Sequence, residues 1–200
     1  MIYRKIRFQK YRVFRTFSII INRLRFSLYG IKHGLNLRVS GLPYLLLHPT
    51  ARVEIGDDFE FTNGNGANAL TRNIRGCIRV ERNAIVEIGN NVGISSGVIW
   101  AKSSIKIGSN VKIGAGSILL DTDCHSLDWK IRSSILKDSY DAKSSPIEIG
   151  DDVLIGYGCV ILKGVKIGNR SIIGAGSVVT RDIPSDVIAA GNPCKVIREI

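Results

Sequence analysis

The first 52 residues contain no aspartate and no glutamate, although they hold 11 of the 28 lysines and arginines in this 200-residue chain. Residues 53–200 carry the other 17 cations and all 17 acids, so the net charge of +11 belongs to the first quarter alone. No apolar stretch approaches the ~20 residues that a membrane-spanning helix needs, and no span of a bilayer is expected. The four cysteines, Cys77, Cys124, Cys159 and Cys194, form no Cys-x-x-Cys pair and no disulfide-like spacing. Arg and Lys interrupt the apolar residues throughout the N-terminus, which excludes a secretory signal, and the expected environment is the reducing cytoplasm. Proline is scarce at 5 residues, whereas 44% of the chain is apolar, enough to offset the entropy of ordering. One domain, or one domain with an appendage, fits this length.

Thirty isoleucines and 15 valines stand against 15 leucines. That excess of β-branched residues favours strands. Their spacing is more informative than their number. Ile149, Ile155, Ile161, Ile167, Ile173 and Val179 recur every six residues without a slip. Two positions before each stand Ile147, Val153, Cys159, Val165, Ser171 and Ser177, small or β-branched throughout. The pattern continues upstream in Ile88-Gly89, Ile94, Ile107-Gly108 and Ile113-Gly114, with one residue inserted near Trp100. Ragged opening turns are expected at 53–56 and 78–80. A period of six is neither helical nor simple alternation. It describes a short strand and a tight corner, three of which close an 18-residue triangular coil whose apolar faces are covered by stacking. Gly at the corners is expected to supply positive φ.

The repeat stops after Leu119 and resumes at Ile147. The interruption, DTDCHSLDWKIRSSILKDSYDAKSSP, is polar and charged, the character of a functional or disordered loop. It carries His125, one of three histidines. The expected organisation is a basic, mainly helical segment at 1–50, a β-helix at 51–183 with a protruding loop at 120–146, and a C-terminal loop and tail at 184–200.

The stretch GDDVLIGYGCVILKGVKIGNRSIIGAGSVVTRDIPSDVIAAGNPCKVIREI resembles the hexapeptide-repeat acyltransferases, in the branch containing maltose, galactoside and capsule-sugar O-acetyltransferases. The resemblance covers roughly residues 78–200. It implies an all-β fold, a left-handed parallel β-helix, which departs from the usual right-handed crossover. It also implies a homotrimer with active sites between subunits and acetyl-CoA as the acyl donor. His125 falls on the loop where this family carries its catalytic His. A neutral imidazole can take the proton from a sugar hydroxyl as it attacks a thioester. An acceptor must hold the other ring nitrogen, and Asp123, Asp128 or a backbone carbonyl is a candidate. Cys124 adjoins His125, but sequence neighbours seldom aim at each other and the family transfers directly, so no acyl-cysteine is expected.

The same resemblance places the oxyanion-stabilising backbone amide at Tyr157, where the family usually has a small residue, and Leu154 where many relatives carry Trp. It puts Ala175 and Thr180 against the pantetheine arm and Arg181, Lys195 and Arg198 beside the phosphates. Ser95, Ser96 and Asp123 are candidate contacts to the saccharide acceptor, with a corner role equally open to the two serines. Asn63, Asn65 and Asn68 read as turn formers. No metal is expected, because His33 and His48 precede the coils and the three histidines lack the spacing of the zinc-binding gamma-type carbonic anhydrases. Amino-sugar N-acetylation is the alternative reaction, and a non-catalytic trimeric scaffold the alternative class.

Tyr3, Ile6, Val13, Phe17, Ile20, Leu24 and Leu28 recur at three- and four-residue steps, with Lys10 spoiling one position, among Arg4, Lys5, Arg7, Arg12, Arg15, Arg23 and Arg25. This is a basic amphipathic helix. Its apolar side could pack on the β-helix or a neighbouring subunit. Residues 1–40 could equally lie on an anionic membrane surface, placing the protein at the inner face beside a lipid-linked saccharide. Nucleic acid is not an expected partner, since no recognition motif accompanies the charge.

Overall fold

The computed structural model describes residues 2–64, 70 and 74–200. Asn65 and Asn68 lie outside the described residues, as do the side chains of Arg4, Lys5, Arg7 and Lys10. Among the described residues, strands of two to six residues form three sheets, a first face of six strands, a second of eight and a third of six. Up to Val178–Val179 successive strands go to successive faces, and every ladder is parallel except the last pair. The register follows the repeat. Ile149 pairs with Ile167 on the first face, Ile155 with Ile173 on the second, and Ile161 with Val179 on the third. All six are buried, as are the six residues two positions before them. Each fully buried Ile contributes roughly 1.5–3 kcal/mol by leaving water. The two serines among the inner residues are accommodated because their hydroxyls donate to backbone carbonyls, Ser171 to Pro184 and Ser177 to Gly174. This is the left-handed parallel β-helix that the resemblance implies.

The corners correct the expectation about glycine. Between the first and second faces, the positive-φ residues are Asn36, Asp58, Asn91, Asn110, Asp152, Arg170 and Asp186, with φ between 54° and 62°. Gly150, two positions earlier in its corner, answers to stacking instead. A Cβ there would lie 2.2 Å from Asn169 Oδ1 and 2.9 Å from its backbone nitrogen. The residue after each such glycine binds the next coil. Asp57 N–H donates to Asn90 Oδ1, Asn90 N–H to Ser109 Oγ, Ser109 N–H to Asp151 Oδ1, and Asp151 N–H to Asn169 Oδ1. Glycine supplies positive φ mainly between the second and third faces, at Gly116, Gly158 and Gly176.

The corner from the third face to the first has no fixed length. Six residues separate Ile161 from Ile167, but eight separate Ile99 from Ile107 and ten separate Ile78 from Ile88. Thirty separate Leu119 from Ile149. The irregularity near Trp100 is therefore two extra residues at this corner, offset by a five-residue step from Ile94 to Ile99.

Both outer boundaries move. Coils begin at Lys32–His33, which pairs with Glu54 and Ile55, rather than near residue 51. Their register was hidden because the next two coils are lengthened. The C-terminal segment is not a loop and tail. Val187–Gly191 adds a parallel strand to the second face, and Cys194–Glu199 folds back antiparallel to cover it.

The N-terminal helix, α1 (Ile2–Leu28), packs against Arg38–Ser40, the edge strand of the second face. It does so with the opposite side from the one its apolar periodicity suggests. Buried against the sheet are Ser18, Asn22 and Phe26. Asn22 Nδ2 donates to the carbonyls of Val39 and Gly41, Arg23 Nε to Leu37, and Arg25 to Pro43, while Ser18 Oγ accepts from Gly41 N–H. An edge strand presents unpaired backbone groups, and a polar helix face satisfies them where an apolar one cannot. The stripe Tyr3, Ile6, Val13, Phe17, Ile20, Leu24 and Leu28 faces outward, each residue at least half exposed. No described helix is long and apolar enough to cross a membrane.

Candidate active site

The thirty-residue excursion leaves the third-face strand Ile118–Leu120 at Asp121. Asp121 is fully buried, and its two oxygens accept the backbone N–H groups of Lys102 (2.7 Å) and Ser103 (2.8 Å) in the coil before it. Burial pushes its carboxyl above the ordinary value, opposed by these amides. The base of the loop is closed by a bridge between Thr122 and Ser144 and by the Asp123 N–H bond to Lys143. Within it, α2 (Trp129–Arg132) is capped by Asp128, whose carboxylate accepts from Lys130 N–H, and α3 (Asp138–Asp141) returns the chain towards His125.

That return builds the site. His125 Nδ1 lies 2.6 Å from Asp138 Oδ2, while Asp138 Oδ1 accepts Ser126 N–H at 2.8 Å. The hydrogen bond to His125, followed by the Ser126 amide, holds the Asp138 carboxyl below the ordinary range. Ser126 Oγ donates to Asp141 and Arg132 donates to the Ser126 carbonyl, so the residue after His125 is gripped from three sides. Donation of Nδ1–H to Asp138 leaves Nε2 with its lone pair, the form a general base requires. His125 itself is exposed at the rim of a cleft of about 520 Å³. The cleft also has Arg79, Glu81, Arg82, Trp100 and Lys102 in its wall, contributed by the third face and its lengthened corners. Burial raises the Cys124 thiol above its usual value, unlike an activated nucleophile.

Asp138 replaces the two acids that sequence proximity favoured. Asp128 is spent on the α2 cap, and Asp123 Oδ1 pairs with Lys163 at 2.8 Å rather than with the imidazole. Of the acceptor serines, Ser96 is only 1% exposed and turns the corner at φ 43°, its N–H bonded to the Thr62 carbonyl. It is sealed from a soluble substrate. Ser95, half-buried, accepts a hydrogen bond from Thr62. Asn63 is buried and donates to the Ser40 carbonyl, a turn-forming role.

Tyr157 sits at the corner before the third-face strand Val160–Leu162, half exposed, and its N–H meets no acceptor among the described residues. His125 leaves the corner that follows this face, so the two lie at opposite edges of it within one chain. Ala175 occupies the corner stacked on Tyr157, whose carbonyl accepts Gly176 N–H. Thr180, Arg181, Lys195 and Arg198 are exposed on the last coil and the terminal hairpin. Larger grooves, of about 670 and 650 Å³, run along the first face, where Lys32–Glu54 and Glu148–Lys166 pair off their charges. No group of three His, Cys, Asp or Glu stands together as a metal site among the described residues.

A three-sided parallel prism with six-residue rungs, broken once by a loop bearing an Asp-held histidine, defines the class of hexapeptide-repeat β-helix proteins. Residues 146–181 match the family model for bacterial transferase hexapeptide (six repeats), and residues 84–121 match that for the hexapeptide repeat of succinyl-transferase. The galactoside O-acetyltransferase of Escherichia coli K12 is 46% identical over 97 residues, 48% of this chain and 45% of that protein. A maltose O-acetyltransferase structure from Clostridium difficile 630 is 35% identical, covering 62% of this chain and 63% of that one, with a TM-score of 0.52. A hexapeptide-repeat acetyltransferase from Vibrio cholerae, solved with acetyl-CoA, is 25% identical over 89% of this chain and 77% of its own, with a TM-score of 0.58. The chain carries hexapeptide repeats over 84–121 and 146–181 and is similar there to the galactoside and maltose O-acetyltransferases. It spans about half the length of the curated relatives it matches.

Proposed function

We propose that this protein is an O-acetyltransferase that moves acetyl from acetyl-CoA to a saccharide hydroxyl in the making of cell-envelope polysaccharide. The observation that carries the reading is the 2.6 Å contact between His125 Nδ1 and Asp138, in a cleft at the interrupted corner of an acetyltransferase-family fold. His125 Nε2 takes the hydroxyl proton as the oxygen attacks the thioester carbonyl carbon. The tetrahedral oxyanion is met by the unengaged Tyr157 N–H. It collapses by breaking the C–S bond, and the CoA sulfur leaves with the proton held by His125. Ala175 and Thr180 lie along the acyl-donor arm, with Arg181, Lys195 and Arg198 beside its phosphates. Because His125 and Tyr157 stand at opposite edges of one face, Tyr157 of a second copy completes the site, and a homotrimer closes such contacts.

The outward stripe of α1 supports attachment at an anionic membrane surface. Its apolar residues enter the headgroup boundary, and the net positive charge of the acid-free first 52 residues favours an anionic surface. Calorimetric titration with acetyl-CoA tests the core of the reading. Saturable binding, weakened by Arg181→Ala, is the expected result, followed by thiol release in a saccharide screen; no binding at millimolar donor would sink it. Vesicles with anionic lipid should sediment the protein and fail to sediment Phe17→Glu/Leu24→Glu.

A further inference from the structure

The charges around His125 are unevenly matched. Three cations, Arg79, Arg82 and Lys102, share the cleft wall with one acid, Glu81. Glu81 is already engaged, 2.7 Å from Arg79. Nearby acids are engaged as well: Asp121 with backbone amides, Asp123 with Lys163, Asp138 with His125, and Asp141 with Ser126. Lys102 Nζ donates to the carbonyls of Ser139 and Ala142, which fix the ammonium beside the loop without neutralising it. Arg82 is exposed on the lengthened corner and has no carboxylate partner among the described residues. The first-face grooves differ in this respect, because there opposite charges pair off.

We propose that the His125 cleft selects an acceptor bearing an anionic group, a carboxylate or a phosphate, which Arg82 and Lys102 bind while the target hydroxyl faces His125. Arg79 is the rigid part of this arrangement. Its guanidinium lies 4.1 Å over the Trp100 ring and is tied to Glu81, so it shapes the wall and adds positive potential. Arg82 offers a planar fork of N–H donors suited to carboxylate or phosphate. Placing Arg82 and Lys102 on the third-to-first-face corners of the two coils before the His125 loop sets an anion and a reacting hydroxyl on one sugar-sized ligand within a 520 Å³ cleft. This inference rests on reading the cleft as the acceptor site of a transferase.

The test is calorimetric binding of methyl glucuronide, glucose 1-phosphate and methyl glucoside to the full-length protein, with His125 ring signals followed by NMR to locate the ligand. At least one anionic sugar should bind about tenfold or more tighter than the neutral one, with the preference reduced in high salt. The carboxylate and phosphate arms identify which anion the site takes. Arg82→Gln should remove most of the preference, and Arg82→Lys should restore part of it. Equal affinity for the three sugars, no binding of any, or an anion preference untouched by Arg82→Gln overturns the proposal. Thiol release from acetyl-CoA is measured separately. Transfer without anion preference would sink this inference alone, whereas anion binding at His125 without transfer to any acceptor would sink the transferase reading.

Discussion

Two corners of the same prism behave in opposite ways. Where the first face meets the second, coil after coil repeats one solution, a glycine stacked on the next coil followed by a side chain that accepts an N–H from its neighbour. Where the third face meets the first, the chain spends six, eight, ten or thirty residues, and the His125 cleft is assembled from those excesses. The regular corner stabilises, and in the proposed mechanism the irregular one supplies the chemistry. A repeat fold can do both because each coil contacts only its neighbours, so an insertion at one corner does not disturb the ladder at another.

Substitutions should separate the two roles. His125→Ala is expected to lower turnover by about 10²–10⁴-fold with little change in unfolding midpoint, since it removes the proposed general base from an exposed loop. Retained transfer would refute the mechanism. Ile155→Ala, in the wholly buried row of the second face, should destabilise the protein by about 2–5 kcal/mol in denaturant titration. Acetyl-CoA binding should survive wherever the variant is folded. Asp138→Asn should lower turnover by roughly tenfold or more while leaving the coils intact, because it removes the anion that sets the His125 tautomer.

The same residue sets a pH window. Asp138 is held below the ordinary carboxylate range, so its contribution to loop order is fully present above an unfolded value of about 3.9 and is lost as pH falls through its lower folded value. Cleavage of the 121–146 loop by an acid protease should therefore rise below about pH 4 in the native protein and be raised already at higher pH in Asp138→Asn. The smallest effect is expected at the regular corner. Asn90→Ala removes one rung of the side-chain ladder and should cost about 0.5–1.5 kcal/mol, with acetyl transfer unchanged.

Periodicity made the coils legible because a buried row must return to the same place every 18 residues, and Ile149 to Val179 do so without a break. It failed at Lys32–His33, where lengthened corners shift the row out of register. It also failed for α1. Spacing showed an amphipathic helix, but which side meets the sheet depended on the open edge strand, and that strand required the polar side. His125 was visible as the histidine in the interruption. Asp138 was not, since it lies thirteen positions on, past one short helix and at the start of another, and only the folded loop brings its carboxylate back. Arg79, Arg82 and Lys102 were missed for a related reason. They are scattered over two coils, and the charge balance along the chain gives no sign that they share a cleft.

The chain by itself determined the six-residue rung, the three-sided coil, the position of the single long interruption and the cation-rich, acid-free start. These are local in sequence, set by which residues must be buried at fixed intervals and which cannot be. The tertiary structure alone decided what holds His125, which face of α1 is left outward, and which cations lack a counter-charge. Those depend on groups that meet across loops and coils, where distance in space is unrelated to distance along the chain.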